Sequence, residues 1–250
     1  EDERDKGSRS VTPEIRDARL QMEHVGFSYP ETGRDTLANI NLTIAPGERV
    51  GLIGRVASGK STLGRVLCGL YDPTSGSYSI DGLDSRQHHP HEVRSNLRFV
   101  GQDAELFSGT IRENLLIGAT EAGDSEIIEA VMKSGADSFL GRDATGFDFH
   151  IGERGSRLSG GQRSFLVLAR ALMDPPKVLF LDEPTGAMDT HTEKLFVERL
   201  KTATTPDQTL IIATHRLAAL GVVDRVIVMD AGRIIADGPR DEILAGAGFA

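Results

Sequence analysis

The stretch Gly54-Arg55-Val56-Ala57-Ser58-Gly59-Lys60-Ser61-Thr62 sets a lysine and two hydroxyls directly behind a loop that carries glycine at both ends. An apolar run (Val50, Leu52, Ile53) precedes it, and Leu63, Val66 and Leu67 recur behind it at helical spacing. Strand, glycine-bearing loop and helix is the setting that G-x-x-x-x-G-K-[ST] needs to hold phosphate. The N–H groups of such a loop form a concavity for phosphate oxygens, and the helix N-terminus adds partial positive charge. Lys60 is placed to reach β- and γ-phosphates, and the Ser61 hydroxyl to ligate Mg²⁺. The motif predicts a nucleotide triphosphate site, but by itself leaves kinase, GTPase and transport ATPase open.

A second group of residues can act on such a ligand. Val178-Leu179-Phe180-Leu181 reads as a central parallel strand buried on both faces, and it ends in Asp182-Glu183. Paired acids at such a strand end are costly without a cation. Asp182 is expected to hold the metal shell and Glu183 to polarise an attacking water. Leu210-Ile211-Ile212-Ala213 reads as the next buried strand, so His215 emerges on the same edge, toward a γ-phosphate. Gln102 follows the strand Arg98-Phe99-Val100, at the end where open α/β sheets place ligands, although a loop glutamine taken alone is more often solvated.

Leu158-Ser159-Gly160-Gly161-Gln162 forms a capping box, with Ser159 as N-cap and Gln162 at the third helical position. A cap does not explain the paired glycines, which weaken a first turn. Bare N–H groups at the positive end of a helix suit the approach of an anion, so a ligand-binding turn is expected. Asp189 and Thr190 are expected to cap a further helix, with Glu193 completing a Thr-x-x-Glu box. Tyr29 reads equally as an exposed aromatic and as packing at a strand end.

The elements that must position these groups follow from periodicity. Residues 1–17 are dense in charge and read as a solvated linker or tail, with residues 18–250 as the domain. Strands are expected near Leu20–Val25, Ile40–Ile44, Gly76–Asp81 with an Asp-Gly turn, and Val226–Met229 hairpinned to Ile234–Ile235. From about 103 to 174 the pattern is helical, with apolar faces at Ile111, Leu115 and Leu116 and at Ile127, Ile128 and Val131, the second capped by Asp124. The expected fold class is α/β: a mainly parallel P-loop NTPase core of RecA-like form with an antiparallel β subdomain and an inserted helical subdomain. The 250 residues suffice for one large domain, and no apolar run approaches the ~20 residues needed to cross a bilayer. With 28 basic against 37 acidic side chains the net charge is −9, which argues against a nucleic-acid partner. The single cysteine, Cys68, falls on an apolar helix face and excludes a disulfide framework, so a reducing, cytosolic setting is expected.

The order phosphate loop, Gln102, Leu-Ser-Gly-Gly-Gln, Asp182-Glu183, Asp189, His215 resembles the nucleotide-binding domain of an ATP-binding cassette (ABC) transporter, over nearly the whole chain from about residue 20. The resemblance implies ATP hydrolysis with Mg²⁺, adenine stacked on Tyr29, and Gln102 sensing both Mg²⁺ and the attacking water. It implies that Ser159, Gly160 and Gly161 contact ATP held by a second copy in a head-to-tail, ATP-dependent homodimer. Gly152-Glu153-Arg154-Gly155 is similar to the exporter segment placed near membrane helices. Asp174-Pro175-Pro176, Asp182-Glu183-Pro184-Thr185 and Ala187-Met188-Asp189 look most like bacterial type 1 secretion exporters. That version implies a transmembrane domain on the same polypeptide at the inner membrane, this soluble part on the cytoplasmic face, and a periplasmic adaptor with an outer-membrane channel. The alternatives are a multidrug or lipid exporter domain and a soluble non-transport ABC ATPase. Three departures concern binding more than chemistry: Ala57 where glycine is usual, Gly101 where proline is common, and Gly64 inside the first helix.

Overall fold

The computed structural model describes residues 14–31, 33, 35–140 and 145–246. The chain runs β1 (Leu20–Ser28), β2 (Asp35–Ile44), β3 (Arg49–Gly54), α1 (Lys60–Leu67), β4 (Ser75–Ile80), β5 (Leu83–Asp84), α2 (Pro90–Asn96) and β6 (Leu97–Val100). It continues through α3 (Ile111–Leu115), α4 (Asp124–Ser134), α5 (Asp137–Leu140), α6 (Gly160–Leu172), β7 (Val178–Asp182), α7 (Thr190–Ala203), β8 (Thr209–Ala213), β9 (Arg225–Asp230), β10 (Arg233–Pro239) and α8 (Arg240–Gly246).

Two sheets result. The smaller, antiparallel one has the order β2-β1-β4-β5, and the larger has β10-β9-β3-β8-β7-β6. In the larger sheet β9, β3, β8, β7 and β6 run parallel, and only β10 is antiparallel to its neighbour. Helices therefore cover both faces, and the central strands are continuously apolar because no face meets water. In β7, Val178 and Phe180 enter the core around α1, whereas Leu179 and Leu181 enter the core beneath α6 and α7. Strand β8 divides in the same way, Ile211 and Ala213 against Leu210 and Ile212, as a period of two requires. Helix α1 lies between the two sheets, its Leu63, Val66 and Leu67 packed with Leu20, Ile40 and Ile80 from the antiparallel sheet. Cys68 is buried in this core, and burial pushes its thiol well up.

The cap of α4 differs from expectation. Asp124 is the first residue of α4, and the cap is Gly123, whose N–H donates to Glu126 Oε2 at 3.0 Å. A glutamate three residues on reaches this donor, so Asp124 is left to pair with Arg112. In α4 the buried face is Ile127, Ala130, Val131 and Ser134, while Ile128 is exposed.

The N-terminal boundary also differs. Residues 1–13 of the expected tail lie outside the described residues; Glu14, Arg16 and Asp17 are exposed as expected of a solvated segment, but the backbone of 15–17 is anchored. Ile15 is buried, and Lys177 Nζ donates to the carbonyls of Ile15 and Arg16, both at 2.6 Å. The Asp81 carboxylate accepts N–H bonds from Arg16, Asp17, Ala18 and Arg19. Polar composition concealed this, because the anchor is one isoleucine and a set of backbone donors. Burial pushes the Asp81 carboxyl up, but the N–H donors of Arg19, Arg16, Asp17 and Ala18 outweigh it and hold it below 3.8. A carboxylate held low stabilises the fold above its ordinary value and loses that contribution as pH falls through the lowered folded value. Asp81→Asn, which suits the left-handed backbone at φ 53, is expected to flatten the melting-temperature curve in that acid window and to speed tryptic cleavage after Arg16 and Arg19.

Gly64, the apparent weak point of α1, has a packing reason: a Cβ there would lie 2.5 Å from the Phe180 ring. Gly64→Ala is therefore expected to destabilise by roughly 1–3 kcal/mol through overpacking. Helix propensity alone gives the opposite sign, a gain of ~1 kcal/mol. Urea denaturation decides, and a raised midpoint would remove the contact as the reason for glycine.

Candidate functional site

Parallel register builds the site. Leu52 on β3 pairs with Ala213 on β8, and Ala213 pairs with Asp182 on β7. The chain segments leaving these strands are the phosphate loop, Asp182-Glu183 and Thr214-His215, so all three emerge side by side at the carboxyl edge of the sheet.

The loop bends through Ala57 at φ 64 and Gly59 at φ 101 before entering α1. At Gly54 a Cβ would stand 2.3 Å from the Met229 carbonyl oxygen, so the strand-to-loop corner has no room for a side chain. Lys60 is buried and folds back on the loop, its Nζ donating to the carbonyls of Gly54 at 2.9 Å and Arg55 at 3.1 Å. The ammonium is thus held within the turn it would use on phosphate. Ser58 is also buried, and its Oγ has no hydrogen-bond partner among the described residues. Val56 at the tip is 96% exposed.

Asp182 is 3% exposed, and its Oδ1 likewise lacks a partner. Burial raises its pKa, the Ser61 hydroxyl bond lowers it, and neighbouring Glu183 raises it again. A bare buried carboxylate oxygen beside a serine hydroxyl fits a hard divalent cation that also takes phosphate and water oxygens. An unsatisfied Ser58 hydroxyl in the loop fits an anionic acceptor in the same way.

Glu183, at φ 49, turns its carboxylate back over β8. Its Oε1 lies 2.9 Å from His215 Nδ1, and its Oε2 accepts from the Thr214 hydroxyl at 3.3 Å. His215 thus contacts the carboxylate rather than standing alone at the edge, and 65% of its side chain remains exposed. Gln102 lies beyond β6 in a cleft of about 340 Å³ shared with Asp182, Glu183 and Gly160.

Tyr29 is half-buried and reaches the phosphate-loop helix: its hydroxyl is 3.2 Å from Thr62 Oγ1 and accepts from Arg65 at 3.3 Å. Its ring meets Phe27 edge-on at 4.9 Å and Tyr71 at 5.7 Å. Packing at the strand end therefore holds it, and the same packing sets it beside the loop.

The turn Ser159–Gln162 closes as a full capping box, with Ser159 N–H to Gln162 Oε1 at 2.8 Å and Gln162 N–H to Ser159 Oγ at 3.2 Å. Its glycines have a steric reason that the sequence reading lacked. A Cβ at Gly160 would lie 2.7 Å from the Ala187 carbonyl oxygen, and one at Gly161 would lie 2.7 Å from Thr192 Cγ2. Packing is therefore a sufficient reason for both glycines, beside the anion contact expected from the sequence.

Asp189 caps α7 alone, accepting from His191 N–H, Thr192 N–H and the Thr192 hydroxyl at 2.8–3.0 Å. The Thr192 N–H and hydroxyl hold its carboxyl below the ordinary range. The Thr190–Glu193 box does not form, because buried Glu193 bonds Thr185 at 2.8 Å and Arg216 at 3.2 Å instead. Sequence reasoning missed Thr185, Thr214 and Arg216. The one signal was their position, immediately after Asp182-Glu183 and around His215.

Residues 37–186 match the family described as ABC transporter. Proteins of Staphylococcus aureus strains NCTC 8325 / PS 47 and COL, named for multidrug export as ATP-binding/permease proteins, are each 37% identical over 235 residues. The match covers 94% of this chain but 40% of each relative, so the chain spans about two fifths of the length of the curated proteins it matches. A solved structure of a bacterial Atm1-family ABC exporter with ATP bound superposes with a TM-score of 0.87 at 32% identity, over 97% of this chain and 42% of that one.

Ala57 stores strain in the loop. Left-handed backbone costs a non-glycine residue ~1–2 kcal/mol, and glycine returns ~0.4–1 of that through the unfolded chain. Ala57→Gly is expected to raise stability by roughly 0.5–1 kcal/mol in chemical denaturation. An unchanged or lowered stability would show that the alanine conformation is unstrained.

Proposed function

The chain belongs to the ABC transporter family, and on that premise we propose that it is the ATP-hydrolysing domain of an exporter, working as an ATP-dependent homodimer. One observation carries the reading: the buried Asp182 oxygen without a partner lies beside a lysine-bearing phosphate loop and a Glu183–His215 pair, all on one sheet edge.

In this reading Lys60 exchanges the carbonyls of Gly54 and Arg55 for β- and γ-phosphate oxygens, and the N–H groups of residues 55–62 line the phosphate chain. Ser61, Asp182 and Gln102 would hold Mg²⁺, which neutralises developing charge on those oxygens. Glu183, oriented by His215 and Thr214, takes a proton from the water that attacks the γ-phosphorus. The P–O bond to ADP breaks, leaving ADP and inorganic phosphate. His215 then lies within reach of the γ-phosphate, and Tyr29 offers its ring to adenine. Ser159, Gly160, Gly161 and Gln162 meet the nucleotide of a second copy, and Asp189 sits at the junction.

The membrane part is a proposal from the relatives, which are ATP-binding/permease proteins by name. No helix among the described residues is long and apolar enough to span a bilayer. For cargo, export of small compounds has the support of those names. Protein secretion, with its adaptor and outer channel, rests only on likeness at Asp174-Pro175-Pro176 and the segments around Asp182 and Asp189.

Turnover and nucleotide binding of the purified chain with Mg-ATP test the core of this. Glu183→Gln is expected to lose about 10²–10⁴-fold in turnover, the typical worth of a general base, while retaining ATP and accumulating as a dimer. Lys60→Ala is expected to lose nucleotide binding itself. Wild-type turnover in the glutamine variant would take the base role from Glu183, and undiminished affinity in the alanine variant would dismiss the phosphate loop.

A further inference from the structure

The chemistry above leaves three polar groups behind the acidic edge unused. Thr185 is 1% exposed and Glu193 is 5% exposed, and Arg216 reaches Glu193 from the segment after β8. One guanidinium nitrogen, Nη1, donates to Glu193 Oε2 at 3.2 Å and to the Met188 carbonyl at 3.0 Å. The other oxygen of Glu193 accepts from the Thr185 hydroxyl at 2.8 Å. At its own backbone, the Arg216 N–H donates to Thr214 Oγ1 at 3.0 Å, and that hydroxyl donates to Glu183 Oε2.

Burial of Glu193 demands its two links. A carboxylate whose side chain is only 7% exposed must be paired, and Arg216 and Thr185 are the groups that pair it. Met188 immediately precedes Asp189, the cap of α7, so the arginine grips the turn on its backbone. Residues 183–188 also close on themselves, Gly186 N–H to the Glu183 carbonyl and Met188 N–H to that of Thr185. A single residue thus joins the Glu183 carboxylate, through Thr214, to the turn that carries Asp189.

We infer that Arg216 is a positioning residue for hydrolysis, setting the Asp189 turn and the Glu183 carboxylate at a fixed relation to each other. The inference rests on the ATPase reading of the site. Arg216 does not touch substrate; it acts through Thr214 and Met188. Displacement of a reacting group by about an ångström costs rate far more than affinity. The role is therefore expected in kcat, not in KM. Lysine carries the charge to Glu193, but its ammonium is a compact, strongly hydrated group on a shorter and more flexible stem than the guanidinium Nη1 that serves both acceptors, so it restores only part of the function.

The experiment uses the purified chain with Mg-ATP and compares wild type, Arg216→Ala, Arg216→Lys, Glu193→Gln and the Arg216→Ala/Glu193→Gln double variant. Amide hydrogen exchange across residues 186–189 is measured on the same samples. Arg216→Ala is expected to lower kcat about tenfold or more with KM within about twofold. Arg216→Lys should recover part of that loss, and the double variant should be no slower than the slower single, since the two residues act as one unit. Amides 186–189 should exchange faster in Arg216→Ala. The inference is overturned by wild-type kcat in Arg216→Ala, by unchanged exchange at 186–189, or by a loss shared equally between kcat and KM that lysine does not relieve. Should the wild-type chain show no turnover, the ATPase reading fails on its own account, and the exchange data still decide whether Arg216 holds the turn.

Discussion

A carboxylate at the end of a strand buried on both faces is the constraint on which the site depends. Strand β7 contributes no exposed residue, so Asp182 is delivered into a desolvated position by the packing of the strand before it. Burial favours the neutral acid, the Glu183 charge adds to that, and the Ser61 hydroxyl only partly opposes it. One oxygen has no hydrogen-bond partner among the described residues. Such an arrangement becomes favourable when a cation arrives, and the parallel register places the phosphate loop on one side of it and Thr214-His215 beyond it. The core and the site are therefore parts of a single packing solution.

Close approach is the second theme. Phe180, on the same strand as Asp182, occupies the space that a side chain at Gly64 would need, which draws α1 down onto β7. Because Lys60 opens α1, this contact also sets the depth of the phosphate loop relative to Asp182. At the other end of the site, Gly160 and Gly161 let the first turn of α6 rest against the Ala187 carbonyl and the Thr192 methyl. The two glycines of the Ser159–Gln162 turn are what allow it to dock. Packing and the anion contact proposed for this turn make the same demand.

The exits from β7 and β8 would be independent loops if backbone bonds alone held them. They are instead cross-tied by side chains, the more exposed His215 and Arg216 reaching more buried partners: Glu183 to His215 and Thr214, and Glu193 to Thr185 and Arg216. Buried polar networks of this kind are rigid when every member is satisfied and costly when one is removed. In the proposed hydrolysis, rigidity at this point would hold the water, Glu183 and the neighbouring turn in one relation while nucleotide enters and leaves. The N-terminal segment is tied by similar means, with Asp81 gathering four backbone donors and Lys177 two carbonyls.

Much of this was legible in the residues. Period-two and period-3.6 patterns gave the strands and helices, because burial acts on each element through its own repeat. The phosphate loop, Asp182-Glu183, His215 and the Ser159–Gln162 cap were readable since their chemistry is carried by residues adjacent in the chain. What the sequence could not decide depends on contacts between distant segments. The reason for Gly64 lies in Phe180, and that for Gly160 in Ala187. Ile15 reads as part of a charged tail until Asp81 and Lys177 are brought to its neighbours, and Glu193 reads as a cap completing a helix start until Arg216 arrives from the next strand exit. Local pattern reports which groups a segment offers; only the folded arrangement decides which of them are desolvated together, and desolvation is what turns a polar side chain into a partner.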